Sequence, residues 1–162
     1  MQPHWIDADV YIQANRGLYS FEIAPPFWEW LEQCGNAGIV KSPMMVYKEL
    51  ARGNDKLAEW AKARRADGFF VEADESVQKA VGRMADFVKA KFIQPKYLDF
   101  LSGADPWLVA HASVGGGIVV SHEKRVDSSC TWPKIPTLCV RFGVPCINLV
   151  DLIKSIGTLK FK

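Results

Sequence analysis

The sequence predicts an α/β fold of three layers, a mainly parallel central sheet between two layers of helices, and three observations carry that prediction. Short apolar runs rich in β-branched residues (HWIDADVYI, GIVKS, FFVEA and IVVSHE) alternate with longer segments of helical periodicity. Several helical segments open on proline beside serine or aspartate and close on glycine. The length of 162 residues suits a single domain, 1–162, because domains commonly hold about 100–150 residues around one core.

Each element has its own signal. HWIDADVYI sets apolar residues around a D-x-D and reads as a short strand that delivers Asp7 and Asp9 at its exit, ahead of a loop over 13–20. PPFWEWLEQCG begins with two prolines and stops at Gly35, so it reads as a helix. GIVKS at 38–42 reads as a strand, after which Ser42 caps and Pro43 opens the helix PMMVYKELARG. Asp55 caps a second helix, DKLAEWAKARR. FFVEA at 69–73 reads as a short strand. SVQKAVGRMADFVKAKF sets Val77, Val81, Met84 and Val88 on one face, which predicts a long amphipathic helix.

In GADPWLVAHASVGGG, Asp105 reads as the N-cap of a helix, Pro106 as its first turn and the glycines as its close. IVVSHE reads as a buried strand ending in polar residues. Residues 127–137 read as loop, TLCVRFG as an edge strand and INLVDLIKSIG as a terminal helix.

Composition narrows the function classes. At 49% hydrophobic and 23% charged residues, the chain is unlike disordered, collagenous or disulfide-stapled proteins. Twenty basic against eighteen acidic residues leave a net charge of +2, too little for whole-molecule attraction to nucleic acid or membrane. Basic residues do cluster between Lys48 and Arg65, where a solvated helix face and a phosphate track are both open readings. Four cysteines without CxxC spacing and no apolar leader point to a reducing cytoplasm. No apolar run approaches the roughly 20 residues that span a bilayer, so no membrane partner is expected.

In an open parallel sheet, ligands gather outside the carboxyl ends of the strands. Four acids belong to that rim: Asp7, Glu49, Asp105 and Glu123. Hard divalent cations take oxygen ligands, and magnesium binds through a few carboxylates while keeping several waters, so a dispersed carboxylate set suits it better than a His/Cys set would. Asp7 is the least ordinary, since a carboxylate in an apolar strand costs desolvation unless it has a partner.

The others have structural alternatives. Asp105 can serve as a cap, Glu49 as a surface residue, and Glu123 as a partner of Lys124 or Arg125. His111 and His122 lack ligand spacing. Tyr11, Tyr19, Phe27, Trp28 and Trp30 are expected mainly in the core, although single-strand binders use such rings for stacking. Arg16, Lys48 and Arg52 stand near the acids as phosphate contacts.

The segments WIDADVYI, MMVYKEL, SGADPWLVAHA and IVVSHE together resemble the PIN domain family, and RGLYSFEIAPPFWEWL, WAKARR and KIPTLCVRFGV resemble a bacterial branch of PIN-like proteins. The resemblance spans nearly the whole chain. It implies a PIN-like fold and metal-assisted hydrolysis of RNA phosphodiester bonds with Mg²⁺ or Mn²⁺ as cofactor. Asp7, Glu49 and Asp105 match the three core acids of the family. Glu123 stands where aspartate is more frequent, Asp9 is an additional ligand or orders the loop, and Ser121 matches a small hydroxyl residue near the substrate. A cognate antitoxin and a homodimer partner are implied as well.

Two rival functions follow from the same residues. D-A-D-V-Y also resembles the opening motif of haloacid dehalogenase-like phosphatases, with Asp7 as nucleophile, although Tyr11 replaces the usual threonine. A catalytically silent PIN-like module that binds RNA or protein is the other.

Overall fold

Side chains along the strands alternate between two cores, and that alternation sets the layers. The computed structural model describes residues 1–124 and 129–161. Five strands, β1 (His4–Ile6), β2 (Val40–Pro43), β3 (Phe70–Val71), β4 (Ile118–Val120) and β5 (Cys146–Ile147), form one sheet in the order β3-β2-β1-β4-β5. All four pairings are parallel. Ile6, Val40 and Val120 enter one core, whereas their neighbours Trp5 and Val119 enter the other.

Helices cover both faces, as a parallel sheet requires. On the first face lie α1 (Ala8–Arg16), α2 (Pro25–Asn36), α3 (Met44–Leu50), α4 (Lys56–Arg64) and α9 (Leu149–Ile156), packed around Phe27, Leu31 and Val46. The second face carries α5 (Glu75–Lys91), α6 (Lys96–Ser102), α7 (Asp105–Gly115) and α8 (Ile135–Phe142), packed around Met84, Leu108 and Leu138. The predicted α/β/α layering is the observed one. Among the described residues, no helix is long and apolar enough to cross a membrane.

Several local expectations need correction. The run after Asp7 is helix rather than strand. Val10, Tyr11 and Ala14 are buried with Ala8 at its start, a period near 3.6 that the β-branched composition had masked. Asp9 therefore sits in the first turn of α1, Arg16 in its last, and the loop begins only after Arg16. TLCVRFG is not an edge strand: Ile135, Leu138 and Cys139 are buried at helical spacing, Pro136 lies in the first turn of α8, and Gly143 ends it in a left-handed conformation.

The edge strand on this flank is Cys146–Ile147, whose second residue was expected to open the terminal helix. The loop predicted over 127–137 gives way to α8 at Ile135, and its residues 127–128 lie outside the described residues. Ser42 lies inside β2, leaving Pro43 to cap α3. Ala104 rather than Asp105 caps α7, and Asp105 is its first residue. Helix α6 was not foreseen. By contrast, Asp55 caps α4 as expected, accepting a hydrogen bond from the Ala58 N–H at 2.9 Å.

At the opposite end of the sheet from the acids, Gly117 leads into β4 with no room for a side chain. A Cβ there would stand 2.7 Å from the Pro3 carbonyl oxygen and 2.7 Å from the Trp5 ring.

Candidate functional site

From β1 the sheet grows through β2 to β3 on one side, and the chain then returns to place β4 on the other. The winding direction reverses between β1 and β4, which opens a crevice outside their carboxyl ends. Asp7 leaves β1 there, and its N–H donates to the Val120 carbonyl at 3.1 Å. Ser121 leaves β4 there, its N–H donating to the Ile147 carbonyl at 2.9 Å and its Oγ accepting from the Glu123 N–H at 3.1 Å.

The two glutamates brace this rim. Glu49, one turn into α3, accepts from the Ala104 N–H through Oε1 at 3.2 Å and so holds the turn that presents Asp105. Glu123 accepts from the Ile135 N–H through Oε2 at 2.8 Å, which ties the exit of β4 to the start of α8.

Electrostatics places the four acids in one field. Asp7 is 6% exposed, and its pKa is pushed up to about 8, first by burial and then by the negative charges of Asp105, Glu123, Asp9 and Glu49. Asp105 is raised to about 7 by burial, then by Glu123, Glu49 and Asp9. Among the described residues, no salt bridge joins any of these carboxylates to a lysine or arginine. Glu123 in particular makes none with Lys124, and Arg125 lies outside the described residues.

Charge repulsion reaches further than ligation does. Among the described residues, no three acids, histidines or cysteines are arranged to hold a metal ion as they stand. Coulomb energy falls only as 1/r, whereas a carboxylate ligates over about 2 Å, so acids too far apart to share an ion still raise one another's pKa. Glu49 and Glu123 each spend one oxygen on a backbone N–H.

Beneath Asp7 runs a buried polar chain that sequence reasoning missed. Tyr11, one turn along α1, shares a 2.7 Å hydrogen bond between its hydroxyl and Ser42 Oγ, and Ser42 Oγ donates to the Ile6 carbonyl at 2.7 Å. This chain joins α1 and β2 to the last residue of β1, fixing the backbone from which Asp7 projects. Tyrosine at the fourth position after Asp7 was the available signal, read as core packing ahead of base stacking. Tyr11→Phe should cost about 1–2 kcal/mol in urea unfolding, because a buried hydroxyl loses its partner.

The remaining candidates divide. Arg16 is exposed and shares a hollow of about 170 Å³ with Glu49. Lys48 opens instead onto a hollow of about 250 Å³ beside Trp107 and His111, and Arg52 is exposed beyond the end of α3. Glu123 borders two larger hollows, of about 480 and 510 Å³, and Ser121 borders the second. Asp9 is exposed and accepts from Gln13 at 3.4 Å.

His111 is buried against Trp5 with ring centroids 4.5 Å apart, and burial lowers its pKa to about 4. His122 is exposed. Phe27, Trp28 and Trp30 are core residues, and both tryptophans use their indole N–H groups internally, on the Tyr19 carbonyl and on Thr158.

Comparison with known proteins adds one finding. Residues 4–159 match the model of DUF4411, described as a domain of unknown function. The chain belongs to the DUF4411 family. The matched span of this DUF4411 domain includes all four rim acids together with Tyr11 and Ser42. No curated protein matches the chain.

Proposed function

We propose that this domain is a metal-dependent ribonuclease that hydrolyses RNA phosphodiester bonds at the crevice between β1 and β4. The observation that carries this reading is that burial, and then the charges of the other rim acids, raise Asp7 to about 8 with no cationic side chain beside it among the described residues. Such a set of negative oxygens fits a hard divalent cation, Mg²⁺ or Mn²⁺. The PIN-like resemblance supports the same assignment.

Asp7 and Asp105 would hold the cation, with Glu49 and Glu123 completing the set through their second oxygens and exposed Asp9 at its margin. Bound there, the cation supplies a water of lowered pKa and neutralises charge on the phosphate. The chain does the positioning. Glu49 orients Asp105 through Ala104, and Ser121 Oγ holds the backbone of Glu123. Arg16, across the hollow from Glu49, meets an incoming phosphate, and Lys48 and Arg52 extend the basic path along the RNA. The same reading places the domain in the cytoplasm and proposes a cognate antitoxin and a second copy as partners. Growth arrest on expression would favour a toxin over an RNA-processing enzyme.

Cleavage of a single-stranded RNA by the purified protein tests the proposal. Activity should require Mg²⁺ or Mn²⁺ and disappear with chelator, and Asp105→Asn should lower the rate on the order of 10²–10³-fold, the kinetic equivalent of several kcal/mol. Cleavage that persists in chelator and in the variant sinks the reading. RNA binding without cleavage in any cation would favour the silent module. The phosphatase alternative has less support, because its general acid would be Asp9, which is exposed and bonded to Gln13 on its own helix.

A further inference from the structure

Two cysteines that the nuclease reading leaves unused meet beside Glu123. Cys139 lies in α8, and Cys146 opens β5. Gly143, in a left-handed conformation at φ 67°, reverses the chain between them, and the Val144 N–H donates back to the Cys139 carbonyl at 2.9 Å. Cys146 is held in register against Val119. Helix, turn and strand thus bring both side chains to one apolar core, with Cys146 packed against the cluster that holds Cys139. Both border the 480 Å³ hollow that Glu123 also lines.

The other two cysteines are placed elsewhere. Cys34 is buried in the core on the opposite face of the sheet, and the Cys130 thiol donates to the Trp132 carbonyl at 3.2 Å.

We propose that Cys139 and Cys146 form a reversible intramolecular disulfide when the domain meets a peroxide-class oxidant. Cys146 is the more exposed of the two, since Cys139 is only 2% exposed, and it reacts first through the hollow. Its sulfur attacks one peroxide oxygen and the O–O bond breaks. A sulfenic acid remains on Cys146 while the other oxygen leaves as water or alcohol. Cys139 sulfur then attacks Cys146 sulfur, the S–OH bond breaks, and the hydroxide departs as water with the Cys139 proton. Two thiols have been oxidised by two electrons and one peroxide reduced. In a reducing compartment such a bond is transient, which suits a sensor.

The cross-link would fasten α8 to β5 on the flank that Glu123 braces through Ile135. The disulfide does not rest on the nuclease reading.

Hydrogen peroxide treatment of the full chain, followed by alkylation and peptide mass mapping, tests the proposal. Two of the four cysteines should become protected. One peptide pair should link positions 139 and 146 with the loss of two hydrogens, and dithiothreitol should restore both thiols. Cys130→Ser should leave the link intact, and Cys139→Ala should let a sulfenic acid on Cys146 be trapped by dimedone. A link from Cys130 to either cysteine overturns the proposal. So does continued alkylation of both Cys139 and Cys146, or no trapped sulfenic acid in the Cys139→Ala protein.

Discussion

Asp7→Asn is expected to flatten the pH dependence of stability measured in the absence of divalent cations. The folded-state pKa of Asp7, about 8, lies above the roughly 3.9 of an unfolded aspartate, so the native state holds the extra proton. Wild-type stability is therefore fullest below about pH 4, falls as pH rises through the window from 4 to 8, and levels off above it. Each pH unit inside that window is worth about 1.4 kcal/mol for one fully shifted group, so Asp7 alone should account for a loss of as much as about 4 kcal/mol between pH 5 and pH 8. The amide carries no charge at either pH and should escape most of that loss, with Asp105 supplying a smaller residual slope.

Urea unfolding in chelator at the two pH values gives the comparison. Added Mg²⁺ or Mn²⁺ should restore wild type at pH 8 and leave Asp7→Asn unmoved, and the same variant should lose RNA cleavage. Parallel pH slopes for the two proteins would mean that Asp7 is not an uncompensated buried carboxyl.

Gly117→Ala should cost about 1–3 kcal/mol or more, the range of overpacking, here against atoms that cannot move away cheaply. One of the obstructing atoms is backbone, the Pro3 carbonyl oxygen, and another belongs to Trp5, which is 5% exposed and packed against His111. Relief requires β1 and β4 to separate where their pairing begins, His4 opposite Ile118. Those two strands also bound the crevice, so RNA cleavage should fall together with the melting temperature. A melting temperature within a degree of wild type would show that the Pro3 segment yields freely.

The sheet was legible where a strand is short, apolar and followed at once by a helix signal. GIVKS satisfied that rule, and β2 was found there, running one residue further to Pro43; IVVSHE, followed by a loop, was found as β4 from its apolar residues alone. The rule failed at β5, a two-residue strand whose neighbour TLCVRF has the stronger β composition and yet belongs to α8, where Leu138 and Cys139 are buried with Ile135 at helical spacing. Periodicity, not composition, decided that segment, as it did for the run after Asp7.

For the site, the residue types at the strand exits could be read directly, because acids beside apolar strands are conspicuous. Their supports could not. The bonds from Glu49 to Ala104, from Glu123 to Ile135 and from Tyr11 to Ser42 join positions 55, 12 and 31 residues apart, separations across which neither spacing nor propensity carries information. Lys48, grouped by sequence with its neighbour Glu49, opens onto a different hollow, since adjacent helical residues point about 100° apart.

The sheet ends on either flank in a strand of only two residues, Phe70–Val71 and Cys146–Ile147. A second polypeptide sliding alongside finds barely one repeat of unpaired amide and carbonyl groups on which to zip, too little for the continuous cross-chain ladder that seeds fibrils. Crowding at high concentration should therefore leave the domain disperse as long as it stays folded.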